Sequence, residues 1–271
     1  MELSAEANRL QQKMAQASAL ALKRMHLCQT RFDYYVEDVC RDNLGNPIQL
    51  SEIHRAWIRH VDYCWPRGLR ALILAPYAHG KTSTLVVPLC SWLMGRDITT
   101  RIKIVTNDDG SASERLMACK RTIESNSFRR AFPQVRRGDR WNSHELFLKR
   151  AGYSTIDPTL HARGIWSTGV GSRADYMFFD DVVDQKNATD SAQRKKVLNF
   201  VEGTWLNRVE PTGHVLGIGT AWHQGDANHI LMHRPGWCTL IHRVSADCTR
   251  IEQEVLGARD GQYPMPPPIA A

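Results

Sequence analysis

The amino-acid sequence predicts an α/β fold: a P-loop NTPase with a mostly parallel central sheet flanked by helices, plus an N-terminal helical segment. Three observations carry that expectation. Short apolar runs of strand length alternate with segments of helical periodicity, the pattern that builds parallel sheets. One such run leads through Ala75-Pro76-Tyr77-Ala78-His79-Gly80-Lys81-Thr82 into a helical segment. Another, Tyr176–Phe179, ends in the acidic pair Asp180-Asp181.

The composition supplies the bounds. Of 271 residues, 42% are hydrophobic, enough for a sizeable core, and 23% are charged, which excludes a disordered acidic chain. Lys and Arg outnumber Asp and Glu by 35 to 28, a moderate surplus that points to a polyanionic partner. With no apolar run of about 18 residues, no transmembrane helix is expected. The start, Met1-Glu2-Leu3-Ser4-Ala5-Glu6, is unlike a secretory signal. Seven scattered cysteines without Cys-x-x-Cys read as reduced thiols rather than a zinc ribbon.

In chain order, residues 4–28 carry a helical face of Leu10, Met14, Ala17, Ala21 and Met25, expected to pack on another element. The turn-forming run Asp42–Pro47 marks a boundary. A second amphipathic helix is expected over Ser51–Cys64, stopped by Pro66 and Gly68. Leu69–Leu74 reads as a strand. Thr82–Met94 reads as a helix kinked at Pro88 and closed by Gly95. Ile102–Thr106 is a second strand. Ser111-Ala112-Ser113-Glu114 has capping-box spacing before a helix with Leu116, Cys119 and Ile123 on one face. Short alternating runs between Trp141 and Trp166 suggest strands at a sheet edge. Tyr176–Phe179 is a strand, Asp190–Trp205 a helix capped by Asp190, and His214–Gly219 a further strand. The proline-rich end, Pro264–Pro268, reads as a linker. These features divide the chain into an N-terminal helical segment (1–48), a P-loop domain (49–258) and a tail (259–271).

The chemistry concentrates at strand ends. Gly80, Lys81 and Thr82 match the phosphate-loop pattern, with Ala75 in place of its first glycine. A Gly-Lys-Thr tripeptide alone is common; the strand before it and the helix after it give it weight. Backbone N–H groups across Ala78, His79, Gly80, Lys81, Thr82 and Ser83 are placed to wrap a phosphate. Lys81 is expected to neutralise the β/γ oxygens of ATP, and Thr82 to offer its hydroxyl to Mg²⁺. About a hundred residues on, Asp180 is expected to hold the same metal and Asp181 to polarise an attacking water. Thr220, at the end of the strand His214–Gly219, is placed to meet the γ-phosphate.

At these residues the chain resembles the large subunit of bacteriophage terminases. His79-Gly80-Lys81-Thr82 is like the family's "H-G-K-S" loop. Gly171-Ser172-Arg173-Ala174-Asp175 followed by Phe179-Asp180-Asp181 is like its "G-R-G-A-D" and "D-D". Gly219-Thr220-Ala221-Trp222-His223 with Asp226 is like "T-R-W-H-x-x-D", and Phe132-Pro133 fits an intervening "F-P". The likeness spans roughly residues 50–245. Two family arginines are replaced, by Ala78 and Ala221. The resemblance implies an ATP-hydrolysing motor that translocates double-stranded viral DNA into a procapsid in the host cell cytoplasm. Its implied partners are a portal protein and a small terminase subunit, with a homo-oligomeric ring on the portal. The family's C-terminal nuclease domain needs on the order of 150 residues. Only 34 follow Trp237, so the nuclease is expected on another chain or removed.

Arg173 is the first candidate for an arginine finger acting on a neighbouring subunit, and Arg163 the second. Gly169, Gly171 and Ser172 are expected to form a mobile loop. Trp222 and His223 are expected to pack beneath the Thr220 loop. The adenine zone falls at Gln49–His60, where His54 and Trp57 read equally as core. Arg129-Arg130, Arg136-Arg137 with Arg140, Lys149-Arg150 and Arg194-Lys195-Lys196 are candidate DNA contacts. His223, His229, His233 and His242 read as solvent-facing rather than zinc-binding. Three other readings stay open: a helicase-like ATPase, a nuclease using Asp180, Asp181 and Asp226 as a two-metal cluster, and a passive DNA-binding module.

Overall fold

The first long apolar run forms β1 (Arg70–Leu74), and its neighbours define the architecture. The computed structural model of the chain describes residues 2–150, 156–167, 171–259, 263–264 and 269–270, with side chains from residue 11 to 264. Helices α1 (Glu2–Thr30), α2 (Phe32–Val39) and α3 (Glu52–Cys64) precede β1. A π-helical turn, Thr82–Val86, then opens α4 (Val87–Arg96). β2 (Ile102–Thr106), α5 (Asp109–Glu124), α6 (Asn126–Ala131), β3 (Arg137–Trp141), β4 (Glu145–Leu148), β5 (Leu160–Gly164) and β6 (Ala174–Asp180) follow. The remainder is α7 (Gln185–Thr189), α8 (Ser191–Phe200), β7 (Val209–Gly219), α9 (Ala227–Leu231), β8 (Trp237–Val244), β9 (Arg250–Leu256) and β10 (Ile269–Ala270).

Among the described residues the strands form one sheet in the order β10-β9-β8-β1-β7-β6-β2-β5-β4-β3. The six strands from β8 to β5 run parallel; the margins are antiparallel. Both faces of the middle of the parallel block are covered, which is why β1, β2 and β6 are largely apolar. Along β1, Ala71 and Ile73 join the core beneath α3, α4 and α5, while Leu72 and Leu74 join a second core beneath α8 and α9. Successive side chains on a strand point to opposite faces, so one short run serves both.

Several sequence expectations need correction. The face of Met14, Ala17 and Ala21 on α1 is exposed, Met14 by 65%, and packing begins only near Cys28. There Trp92 Nε1 donates to the Cys28 carbonyl (2.8 Å) and Gln29 to that of Ala131 (2.8 Å). Leu10's side chain lies outside the described ones. Pro88 lies inside a helical run continuous from Thr82 to Arg96, and the irregularity expected of it takes the form of the π-helical turn just before it, where Val87 N–H bonds the Thr82 carbonyl. Gly95 does not end that helix. A Cβ there would come within 2.6 Å of the Phe132 ring, so the glycine serves close packing and α4 continues to Arg96. The cap of α5 is Asp108, accepting from Ser111 N (2.8 Å), and not Ser111 itself. Of the edge strands expected between Trp141 and Trp166, β4 lies at the margin, paired with β3 just before that stretch, but β5 lies inside the sheet, parallel to β2. β8 and β9 were not foreseen; buried Thr239 and His242 break the apolar pattern of β8.

Other expectations agree. Ser51 and His54 close a capping box on α3, and Gly68 ends the following turn at φ +65°. Asp190 caps α8 through Ala192 N and Gln193 N. Of the tail, Met265–Pro268 lies outside the described residues; Tyr263 bonds His60 Nδ1 (2.9 Å). No helix among the described residues is long and apolar enough to cross a membrane.

Gly95→Ala is expected to destabilise the fold by about 1–3 kcal/mol, the usual cost of overpacking a filled site. Urea unfolding followed by tryptophan fluorescence checks it; an unchanged midpoint would show that Phe132 yields freely.

Candidate functional site

The site lies where β1, β7 and β6 deliver their C-terminal ends side by side. In a parallel sheet this edge collects the loops that bind ligands. β7 sits between β1 and β6, pairing Leu74 with Gly219 on one side and Asp180 with Ile218 on the other. The loop after β1, the acids after β6 and Thr220 after β7 therefore converge.

The loop holds two residues in the left-handed region, Ala78 (φ +63°) and Gly80 (φ +70°). For a residue with a Cβ that conformation costs energy, so Ala78 is a point of stored strain. The turn aims successive amides at a common point, and no backbone N–H from Ala78 to Ser83 has a partner among the described hydrogen bonds. His54 Nε2 donates to the His79 carbonyl (3.1 Å), and the hydroxyls of Ser83 and Thr84 donate to that of Gly80. These bonds brace the loop through its carbonyls and leave its donors free.

Lys81 is buried, at 5% exposure. Its ammonium donates to Thr220 Oγ1 (2.9 Å) and to the carbonyls of Pro76 (3.0 Å) and Ala75 (3.3 Å). All three acceptors are neutral, and among the described residues it forms no ion pair. Burial pushes its pKa below the ordinary lysine value, opposed by the charges of Asp181 and Asp180. Thr220 in turn donates to the Ala75 carbonyl (3.3 Å), tying the tip of β7 to the root of the loop.

Asp180 is fully buried. Thr82 Oγ1 lies 2.9 and 3.1 Å from its two carboxylate oxygens, and Arg115 Nε from α5 donates to one of them at 2.9 Å. Asp181 follows at φ +50°. Burial, and next the charge of Asp180, pushes its carboxyl up to about 6. A cleft of about 860 Å³ opens over these groups, lined by Gly80, Lys81, Thr82, Arg115 and Asp181 at one end. Its other wall includes Val39, Arg41, Asn43 and Ile48. This lies upstream of the expected adenine zone, where Trp57 is fully buried and donates to His242 Nδ1 (3.0 Å).

Other expected residues fall elsewhere. Arg173 is exposed at the start of β6. Eight residue steps at about 3.3 Å each set it roughly 25 Å from Asp181, so it cannot reach its own chain's site. Arg163 is half-buried and donates to His161 Nε2 (2.9 Å). Of the expected mobile loop, Gly169 lies outside the described residues, and Ser172 accepts from the buried Lys103 (2.6 Å). Trp222 (44%) and His223 are exposed rather than packed beneath their loop. Asp226 is buried and used up structurally, accepting from Trp222 N, His223 N and His229 N. It forms no metal-ligand cluster with Asp180 and Asp181 among the described residues.

His242 is buried, with its pKa lowered to about 4 by burial, and is not solvent-facing. His60, Cys64 and Cys238 bring three donors together in the core. Nε2 of His60 donates to the Cys238 carbonyl and Nδ1 accepts from Tyr263 Oη, so both ring nitrogens are already engaged. Among the basic clusters, Arg150 and Arg194 spend their guanidiniums on backbone carbonyls. Arg129, Arg130, Arg136, Arg137, Arg140, Lys149, Lys195 and Lys196 remain exposed.

No protein-family model matches the chain, and no curated protein matches it. Among solved structures, its fold is similar to that in the crystal structure of the HK97 bacteriophage large terminase. The TM-score is 0.55 at 15% sequence identity, over 75% of this chain and 40% of that one. The chain thus has a terminase-like α/β fold, and it spans less than half the length of that protein.

Asp181 carries a testable cost. A carboxyl whose folded pKa lies above its unfolded value loses stability as pH rises from the ordinary carboxylate range through about 6. In metal-free buffer Asp181→Asn is expected to be more stable than the parent at pH 7.5, by on the order of 2 kcal/mol. The gain should fade as pH falls from 6 towards 4 in thermal unfolding; a gain independent of pH would contradict the burial of this charge.

Proposed function

We propose that this chain is the ATP-hydrolysing motor domain of a terminase-type machine that translocates double-stranded DNA into a viral procapsid. The observation that carries the nucleotide part is the Lys81 ammonium, buried without a direct ion pair among the described residues beneath a loop whose amides are unpaired. An anion with several oxygens satisfies both at once. The donor set also fits Mg²⁺: a hydroxyl and a carboxylate, both hard oxygen ligands, meet at Thr82 and Asp180. Bound there, Mg²⁺ would offset charge on the β- and γ-phosphate oxygens.

The chain's own groups take the remaining roles. Amides of Ala78 to Ser83 and the Lys81 ammonium hold the phosphates. Asp181 orients the attacking water and accepts its proton, a task suited to a carboxyl displaced upward from the usual range. Thr220 exchanges its bond to Lys81 for one to the terminal phosphate and so passes the nucleotide state to β7. Arg173, at the far edge of the sheet, completes the site of a neighbouring copy in a ring.

Double-stranded DNA, a portal protein and a small terminase subunit are the proposed partners, on the strength of the motif resemblance and the terminase-like fold. The exposed arginines of α6 and β3 offer sequence-independent phosphate contacts.

Lys81→Ala is expected to lower phosphate release from ATP at least a hundredfold, and Asp181→Asn to do so while retaining nucleotide binding, in the range seen when a positioned charge is removed. A malachite-green assay on the DNA-stimulated protein reads both. Unchanged turnover in Lys81→Ala would refute the assignment.

A further inference from the structure

The nucleotide reading leaves one group of the cleft without a task. Arg115 stands early in α5, the helix that starts at the C-terminal end of β2, and its side chain is 19% exposed. Nε donates to Asp180 Oδ2 at 2.9 Å, and Nη1 lies 3.3 Å from Glu114 Oε2. Nη2 makes no hydrogen bond among the described residues, and Arg115 lines the cleft. The Glu114 contact is at the rim, with that carboxylate 78% exposed, and contributes little. The Asp180 contact is different: a fully buried carboxylate needs a compensating charge, and among the described residues Arg115 is the cation bonded to it.

We infer that Arg115 is a placeholder for the divalent cation on Asp180, and that it exchanges this carboxylate for the nucleotide's terminal phosphate when a magnesium triphosphate enters. The inference rests on the nucleotide site proposed above. A dication shared by Thr82 and Asp180 would take the same carboxylate oxygens that Arg115 now uses and would repel the guanidinium beside them. The displaced side chain remains within the cleft, where the nearest new anion is the nucleotide. A metal held by the loop threonine and the strand-end aspartate would offset charge on the phosphates, and Arg115 lines the same cleft as Lys81, Thr82 and Asp181. Five N–H groups in a planar fork suit Arg to either partner, carboxylate or phosphate. The exchange keeps the buried acid neutralised in both states, and it lets α5 distinguish a triphosphate from a diphosphate.

The test uses the whole chain in calorimetric titrations with a non-hydrolysable ATP analogue and with ADP, both with Mg²⁺. Arg115→Gln is expected to weaken the triphosphate analogue about tenfold and ADP less than threefold, as for loss of one charge-assisted bond. Mn²⁺ titrated alone and followed by electron paramagnetic resonance should bind the variant more tightly than the parent, because Asp180 has lost its placeholder. Arg115→Lys keeps a cation beside Asp180 and covers the case in which the glutamine variant does not fold; its triphosphate preference should fall by a smaller factor, about threefold. A triphosphate-to-diphosphate ratio equal to the parent's in the folded variants overturns the inference while leaving the nucleotide site intact. A parent chain that binds neither nucleotide overturns both.

Discussion

A buried ammonium without a counter-ion governs the design of this molecule. Lys81 is held by three neutral oxygens, and two acids lie close enough to influence its ionisation without bonding to it. Taking a charge out of water in this way is costly unless something repays it. The cores on the two faces of the sheet supply the rigidity that tolerates the cost. The same holds for Ala78 and Asp181 in left-handed backbone and for the raised carboxyl of Asp181. Strain and unpaired charge gather within a few residues of one sheet edge, as expected where structure has been shaped for binding rather than stability.

Strand order turns that cluster into a connected unit. Because β7 lies between β1 and β6, its tip touches the loop of one and flanks the acids of the other. Thr220 bonds both Lys81 and the Ala75 carbonyl, while Asn228 and Asp226 secure the segment behind it. A change in the loop after β1 therefore has a short, bonded route into β7. The start of β6, with Arg173, faces the other edge of the sheet. The chain thus presents the cleft over Lys81 at one sheet edge and the exposed Arg173 at the other.

Much of this was legible from residue order alone. β1, β2 and β6 stand out as apolar runs because both their faces are buried, and the loop and acid pair stand out because they end such runs. Other features were not legible, for physical reasons. The periodicity of α1 groups Met14, Ala17 and Ala21 on one face but cannot say whether anything covers that face. Thr239 and His242 hide β8 because a buried polar residue with partners looks, in sequence, like a surface one. Asp226 reads as a ligand until its three backbone donors are seen. Arg115 belongs to no motif; the only available hint was an arginine early in a helix that begins at the strand-end edge of the sheet.

The most direct test is a crystal structure of the chain with a non-hydrolysable ATP analogue and Mg²⁺. The β-phosphate should lie within hydrogen-bond distance of the amides between Ala78 and Ser83, with the Lys81 ammonium turned from Thr220 to the phosphate oxygens. A nucleotide bound elsewhere, or Lys81 still bonded to Thr220 beneath an ordered triphosphate, would contradict the account.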